Sequence, residues 1–308
     1  MGYKFQQCLH KLLARSLLQN EFHWNNREDP AGAPVNIYVS IDNGVDVYYH
    51  HASGTVNLTA TPLADRTHTL EVISPTEHDD IQFQGLILDT GATTLAPVLS
   101  SQLIEFIGDS ITAGATDSKQ ELSDYAWLTG EQLHVEHTQI AQSGICLIDN
   151  VKCNIPVSVG MSQQFFKLQT VYFPKSPDWN FSRYQANVVV INLGTNDATL
   201  KLSDTTFQST YRMFLQKIRL KYPKAIIFAM RAFNGSKEGP TKAAIRSLNS
   251  EEDKNVYYID TTDWLSASDF NGLHPNDEGQ VKAANRLAPL VAIALGRTSS
   301  VVIPSYNC

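Results

Sequence analysis

Apolar and polar residues alternate in short runs over residues 34–90 and then give way to longer blocks. Val35-Asn36-Ile37-Tyr38-Val39-Ser40-Ile41 alternates with period two, Asp42-Asn43-Gly44 turns the chain, and Val45-Asp46-Val47-Tyr48-Tyr49 resumes the alternation. Thr55–Thr59, Thr67–Ser74 and Ile81–Leu88 continue the pattern, with no helical period between residues 34 and 99. Period-two runs at this spacing predict an antiparallel sandwich. From about residue 100 the pattern changes. Strand-like Leu103–Ile107, Val135–Ile140, Val188–Leu193, Ala225–Met230 and Val256–Asp260 alternate with helical stretches. In Phe207–Leu220 the positions Phe207, Tyr211, Phe214, Leu215 and Ile218 share one helical face, and Pro223 stops the helix. A terminal helix is expected over Asp277–Leu295. Alternating strands and helices imply a parallel sheet covered by helices on both faces. Pro97 precedes the first of these strands, so residues 91–101 read as a linker. The expected organisation is a sandwich over residues 1–98, with 1–33 unassigned, and an α/β domain over 99–308.

Composition narrows the partners. The chain has 308 residues, 43% of them hydrophobic, and a net charge of −7. With no basic cluster to neutralise phosphates, a nucleic acid or an anionic membrane is not an expected partner. No stretch reaches the roughly 18 apolar residues that span a bilayer. Leu12-Leu13-Ala14-Arg15-Ser16-Leu17-Leu18 is short and broken by arginine. It is a poor signal-peptide core and reads as an amphipathic helix or a leftover segment. Four cysteines, Cys8, Cys146, Cys153 and Cys308, allow three complete pairings. A Cys146–Cys153 bridge would close a small loop and stabilise by about 2.5 kcal/mol; two free buried thiols are the alternative. Sequons at Asn57, Asn180 and Asn234 permit secretion without requiring it.

The candidate chemistry lies at the ends of the predicted parallel strands. Gly108-Asp109-Ser110-Ile111-Thr112-Ala113-Gly114 follows the run Leu103–Ile107, which puts a serine at the tip of a tight strand-to-helix turn. Ser143-Gly144, Gly194-Thr195-Asn196-Asp197 and Leu273-His274-Pro275 follow later strands. In open parallel sheets the ligand crevice lies at those C-terminal strand ends. A serine hydroxyl needs a base to become a nucleophile. Ser110 is the candidate nucleophile and His274, between the last strand and the terminal helix, the candidate base. The Ser110 and Gly144 backbone N–H groups and the Asn196 amide are the candidate oxyanion hole, each donor worth roughly 3 kcal/mol in such sites. Asp109 and Asp197 are expected to brace loops rather than to react.

In this order, the four segments resemble the blocks of the SGNH (GDSL) hydrolases. A small β-sandwich followed directly by the Gly-Asp-Ser block looks like carbohydrate esterase family two, over roughly residues 34–296. The resemblance implies a three-layer α/β/α SGNH-hydrolase domain behind a small, jelly-roll-like antiparallel sandwich. It also implies a serine esterase that removes acetyl groups from plant cell-wall polysaccharide such as xylan or glucomannan. Such an enzyme would need neither metal nor cofactor and would be secreted; a monomer is expected separately. In the family the histidine's partner is an aspartate three residues before it; here that position is Asn271. An asparagine carbonyl can accept from imidazole, but its amide face selects the wrong tautomer, and the loss costs about 10⁴ in kcat in a serine-protease triad. Asp269 or a backbone carbonyl are the alternatives, and some family members work with a Ser-His dyad.

Three tryptophans, Trp127, Trp179 and Trp264, offer candidate sugar platforms. Trp179 is preferred because the segment Tyr172–Tyr184 is long, aromatic and interrupted by proline. Two other functions stay open: a feruloyl, lipid or thioester hydrolase on the same scaffold, and a catalytically impaired carbohydrate-binding protein, which Asn271 alone favours.

Overall fold

The computed structural model describes residues 10–15, 21–24, 36–59, 61–77, 83–153, 155, 157–173, 175–250 and 253–297. The chain divides into two units, one over residues 7–99 and a second that carries residues 100 onward.

The first unit is antiparallel. Its strands among the described residues are β1 (His10–Arg15), β2 (Glu21–Trp24), β3 (Ile37–Ile41), β4 (Val47–Tyr49), β5 (Gly54–Asn57), β6 (Thr67–Ile73), β7 (Phe83–Ile87) and β8 (Thr93–Leu95). They form one sheet in the order β4-β3-β6-β1-β8 and a second in the order β5-β2-β7. Ile37 and Val39 of β3 and Leu70 and Val72 of β6 are buried together, with Val56 of β5 and Leu86 of β7 packed against them, so both sheets feed one apolar cluster. Two sequence expectations are corrected here. Residues 10–15 are a strand, not a helix: they pair with β6 on one side and β8 on the other, and this long-range ladder overrides the local leucine-rich pattern. The expected linker contains β8 for the same reason.

The second unit is built on a parallel sheet. Its elements are β9 (Leu103–Gly108), α1 (Tyr125–Leu133), β10 (Glu136–Ala141), α2 (Met161–Gln164), β11 (Val188–Asn192), α3 (Thr195–Thr199), α4 (Asp204–Lys221), β12 (Ile226–Met230), α5 (Glu238–Ser250), β13 (Val256–Ile259), the two-residue pair β14 (Phe270–Asn271) and β15 (His274–Pro275), and α6 (Asp277–Ala294). The sheet runs β10-β9-β11-β12-β13, every neighbour parallel. All five residues of β11 are buried, as expected of a central strand covered on both faces. Alternate side chains divide between the two faces. Val189 and Ile191 of β11 and Ile227 of β12 meet Phe207, Phe214 and Ile218 of α4 and Ile245 of α5. Val188 and Val190, with Ile104 and Phe106 of β9, meet Tyr125 of α1 and Leu287 and Val291 of α6. Each such fully buried Val, Ile or Phe contributes about 1.5–3 kcal/mol of transfer free energy. The three-layer α/β/α architecture is therefore present.

Strand order fixes where a site can form. β9 is flanked by β10 on one side and β11 on the other, so the connections leave in opposite directions and open a crevice beyond the C-terminal ends of β9 and β11.

Candidate active site

Ser110 lies two residues past the end of β9 and is half-buried. The turn that presents it is tightly held. Asp109 O accepts from Thr112 N at 3.1 Å and Ala113 N at 3.0 Å, Asp109 Oδ1 accepts from Ile111 N at 3.1 Å, and Ser110 O accepts from Ala115 N at 3.1 Å. The chain folds back so closely that a Cβ on Gly108 would sit 2.0 Å from Thr112 Oγ1. Only glycine fits there.

His274 is brought to Ser110 from the far end of the unit, its Nε2 lying 2.8 Å from Ser110 Oγ. It starts β15, which pairs with β14 across a two-residue loop in which Gly272 has φ +66. A glycine at the first central position is what such a hairpin requires. Burial lowers the His274 pKa below its ordinary value, which keeps the imidazole neutral and able to accept a proton.

The expected oxyanion donors lie beyond the C-terminal ends of β10 and β11, the two neighbours of β9. Gly144 follows β10 with φ +78, a left-handed conformation that a side chain would strain. Asn196 is buried in the first turn of α3, and its Nδ2 donates to Ile145 O at 2.9 Å. An amide nitrogen carries two hydrogens, so one remains for a ligand. Asp197 braces this loop, as expected: Oδ2 accepts from Leu147 N at 2.8 Å and Oδ1 from Ile148 N at 3.2 Å. Burial raises the Asp197 pKa, and the two amide donors partly offset the rise. Cys146 and Cys153 are joined in a disulfide that closes the same loop.

Asn271 stands directly opposite His274 in the β14–β15 pair. Residues so paired share a face, with Cβ atoms about 5 Å apart. Yet the Asn271 side chain makes no hydrogen bond to His274, and His274 Nδ1 has no partner among the described residues. Asp269 does not substitute. Its Oδ2 accepts from Ser266 N and Oγ, each at 2.8 Å, and its Oδ1 pairs with Lys282 Nζ at 2.5 Å. The Lys282 ammonium and the Ser266 donors hold the Asp269 carboxyl down at about 2.

Trp179 is 6% exposed within the core of the α4 face. Its ring lies 5.7 Å from that of Tyr184, with Arg183 stacked over it. That packing leaves no open ring for a sugar. Trp127 is equally buried, against His137, and Trp264 is half-buried on the α6 face. The aromatic richness of residues 172–184 reflects core packing. A pocket of about 490 Å³ lined by Gln102, Asn187, Lys224 and Leu295 lies at the opposite, N-terminal ends of the strands and belongs to no part of this site.

A parallel sheet, a serine at the end of β9, a histidine on its hydroxyl and two donor loops at one edge define an acylhydrolase-type site. The profile of the GDSL-like lipase/acylhydrolase family matches residues 106–282, more than half of the chain, and the chain belongs to that family. The cellulase/esterase CelE of Acetivibrio thermocellus is 34% identical over 191 residues, which cover 57% of this chain and 23% of that protein. An acetylxylan esterase / glucomannan deacetylase of Cellvibrio japonicus is 25% identical over 245 residues, covering 72% of this chain and 66% of that one. This chain therefore spans under a quarter of the first relative and just under two thirds of the second. Among solved structures, a family two carbohydrate esterase from Clostridium thermocellum in complex with cellohexaose superposes with a TM-score of 0.78 at 24% identity, covering 96% of this chain and 94% of the other. The acetyl xylan esterase Est2A from Butyrivibrio proteoclasticus gives 0.76 at 17% identity, with 94% and 90% covered. These likenesses are of fold. Among the described residues no helix is long and apolar enough to cross a membrane.

Proposed function

We propose that the protein is a serine esterase that removes O-acetyl groups from a plant cell-wall polysaccharide such as xylan or glucomannan. The observation that carries the reading is the 2.8 Å contact between Ser110 Oγ and His274 Nε2 at the C-terminal edge of the sheet. In the proposed reaction His274 takes the Ser110 proton as Oγ bonds to the acetyl carbon. The developing oxyanion is met by the Ser110 and Gly144 N–H groups and the free N–H of Asn196. His274 then gives its proton to the departing sugar oxygen, which leaves as a hydroxyl as the ester bond breaks. A water then gives a proton to His274 as its oxygen bonds to the acyl carbon, and the proton passes to Ser110 Oγ as the acyl–Oγ bond breaks and acetate leaves. The sugar class rests on the names of the relatives.

Further parts of the proposal concern the whole molecule. The eight described strands of the first unit form a sandwich domain that ends near residue 98, and the hydrolase domain begins at residue 99. The enzyme acts as a secreted monomer, a placement supported by the Cys146–Cys153 bridge, since disulfides persist in oxidising compartments.

Acetate release from acetylated xylan and glucomannan, measured with circular dichroism, tests the reading. Ser110→Ala is expected to abolish release while the spectrum stays unchanged; a folded variant that retains activity refutes the assigned nucleophile. Acetyl nitrophenyl esters are expected to exceed octanoyl esters in kcat/KM. The reverse order would indicate a lipase-like hydrolase.

A further inference from the structure

Gln280 is a polar residue in an apolar stripe. It shares the buried face of α6 with Ala283, Ala284 and Leu287 and is 1% exposed. Its amide is fully engaged. Nε2 donates to Asp117 Oδ2 at 2.7 Å and to Ile111 O at 3.3 Å, while Oε1 accepts from Tyr125 N at 3.0 Å. Ile111 follows Ser110 in sequence, Asp117 lies further along the same loop, and Tyr125 begins α1. The Tyr125 hydroxyl returns to that loop, 2.8 Å from Thr112 Oγ1.

The other end of this connection carries the base. α6 begins three residues after His274. Its cap, Asn276, accepts from Gly279 N at 3.0 Å and ties back to the base hairpin through Asn276 N to Asp269 O at 2.8 Å. Gln280 therefore joins the segment bearing His274 to the segment bearing Ser110. It does so through bonds that take no part in the reaction. The Ser110–His274 hydrogen bond cannot hold that spacing, because it is lost each time the proton moves. Asp277 Oδ1 accepts from Ser118 N at 2.9 Å, but this tie is exposed and grips only the outer part of the loop.

We infer that Gln280 is a positioning residue that sets the separation of Ser110 and His274 throughout the acyl-transfer cycle. The inference rests on the esterase reading above. The residue type follows from the geometry: two donors and one acceptor are needed on one planar group of this length. Glutamate has the same shape but presents an anion to Asp117 and no donor to Ile111 O. Methionine has the same length and satisfies none of the three.

The test compares the full-length parent with Gln280→Met, Gln280→Glu and Ser110→Ala on an acetyl nitrophenyl ester. Competent serines are titrated to completion with a fluorophosphonate, so that rates are expressed per reactive site. Since misplacement by about 1 Å costs on the order of 100-fold, Gln280→Met is expected to lower kcat per titrated serine by about 10- to 100-fold, with KM within about twofold. Gln280→Glu is expected to lose as much at pH 8. At pH 5.5 it should recover part of the loss relative to the parent at the same pH, because a protonated carboxyl regains one donor. A purely structural role predicts a lower melting temperature or titrated fraction but a parental kcat per site, and that result overturns the inference. Should Gln280→Met not fold, Gln280→Glu decides alone, and a constant ratio to the parent at the two pH values refutes it. Hydrolysis surviving in Ser110→Ala removes the esterase reading itself. An inert Ser110→Ala beside unimpaired Gln280 variants removes only the positioning role.

Discussion

His274 has no carboxylate at Nδ1 among the described residues, and burial depresses its pKa. Burial disfavours the imidazolium, and no anion is close enough to restore it. The acidic limb of the kcat/KM profile is therefore expected below the ordinary imidazole value of about 6.5. Asn271→Asp places a carboxylate on the face that His274 occupies, opposite it across the hairpin. A nearby anion stabilises the charged imidazole, so the acidic limb should move to higher pH, and kcat should rise by up to roughly 10⁴ on the triad precedent. Profiles from pH 4 to 9 check both effects. Because Asn271-Gly272 is a deamidation-prone pair, peptide mass spectrometry across residues 264–282 should accompany the kinetics. Unchanged profiles in an undeamidated sample would mean that the added carboxylate does not reach Nδ1.

At the scale of elements, the loop after β10 depends on its attachments. Residues 145–148 hang from α3 by Asn196 and Asp197, and the Cys146–Cys153 bridge closes the far side. Replacing both cysteines by serine is expected to cost about 2.5 kcal/mol. For a unit of this size that is about 5–10 °C in melting temperature. Because the loop carries Gly144, kcat should fall as well, with KM little changed. A variant that melts earlier but keeps the parental kcat would separate the bridge from the oxyanion donors. The elements of the parallel sheet were legible from sequence because period and turn residues agreed along β9, β11, β12, α4 and α6. β1 and β8 were not, since their partners are distant in the chain and nothing local marks them. Glu105 was hidden for a related reason. It sits in the apolar run of β9, fully buried, and is satisfied by the hydroxyls of Tyr184 at 2.7 Å and Tyr222 at 2.8 Å, residues that only the fold brings near.

At the scale of the molecule, buried acids set the stability profile. Burial, reinforced by the Asp277 charge, pushes Asp117 up to about 7, and the Gln280 amide offsets only part of that rise. Asp117 thus binds its proton more tightly in the folded state than in the unfolded one. Its favourable contribution is complete below the unfolded value near 3.9 and is lost as pH rises through about 7. Asp269, held down at about 2, behaves oppositely, and its contribution disappears as pH falls toward that value. Asp117→Asn keeps an acceptor for Gln280 and removes the ionisation. It should be more stable than the parent at pH 8.5 by on the order of a few kcal/mol and nearly equal at pH 4. Urea unfolding at the two pH values measures this, and an equal gain at both would exclude ionisation as the cause. Ser110 and His274, which the fold brings within 2.8 Å of each other, were readable as turn residues at strand ends. Trp179 was misread because an aromatic-rich segment looks the same whether it lines a groove or fills a core. Gln280 did leave a trace, as a glutamine within an apolar helical stripe.

Ser110 and His274 are separated by 164 positions in the chain. At synthesis rates of about 5–20 residues per second, Ser110 leaves the ribosome roughly 8–33 s before His274. On the proposed esterase reading, Ser110 would lack its base through that interval, and the chain would gain activity only when the segment carrying His274 joins the fold.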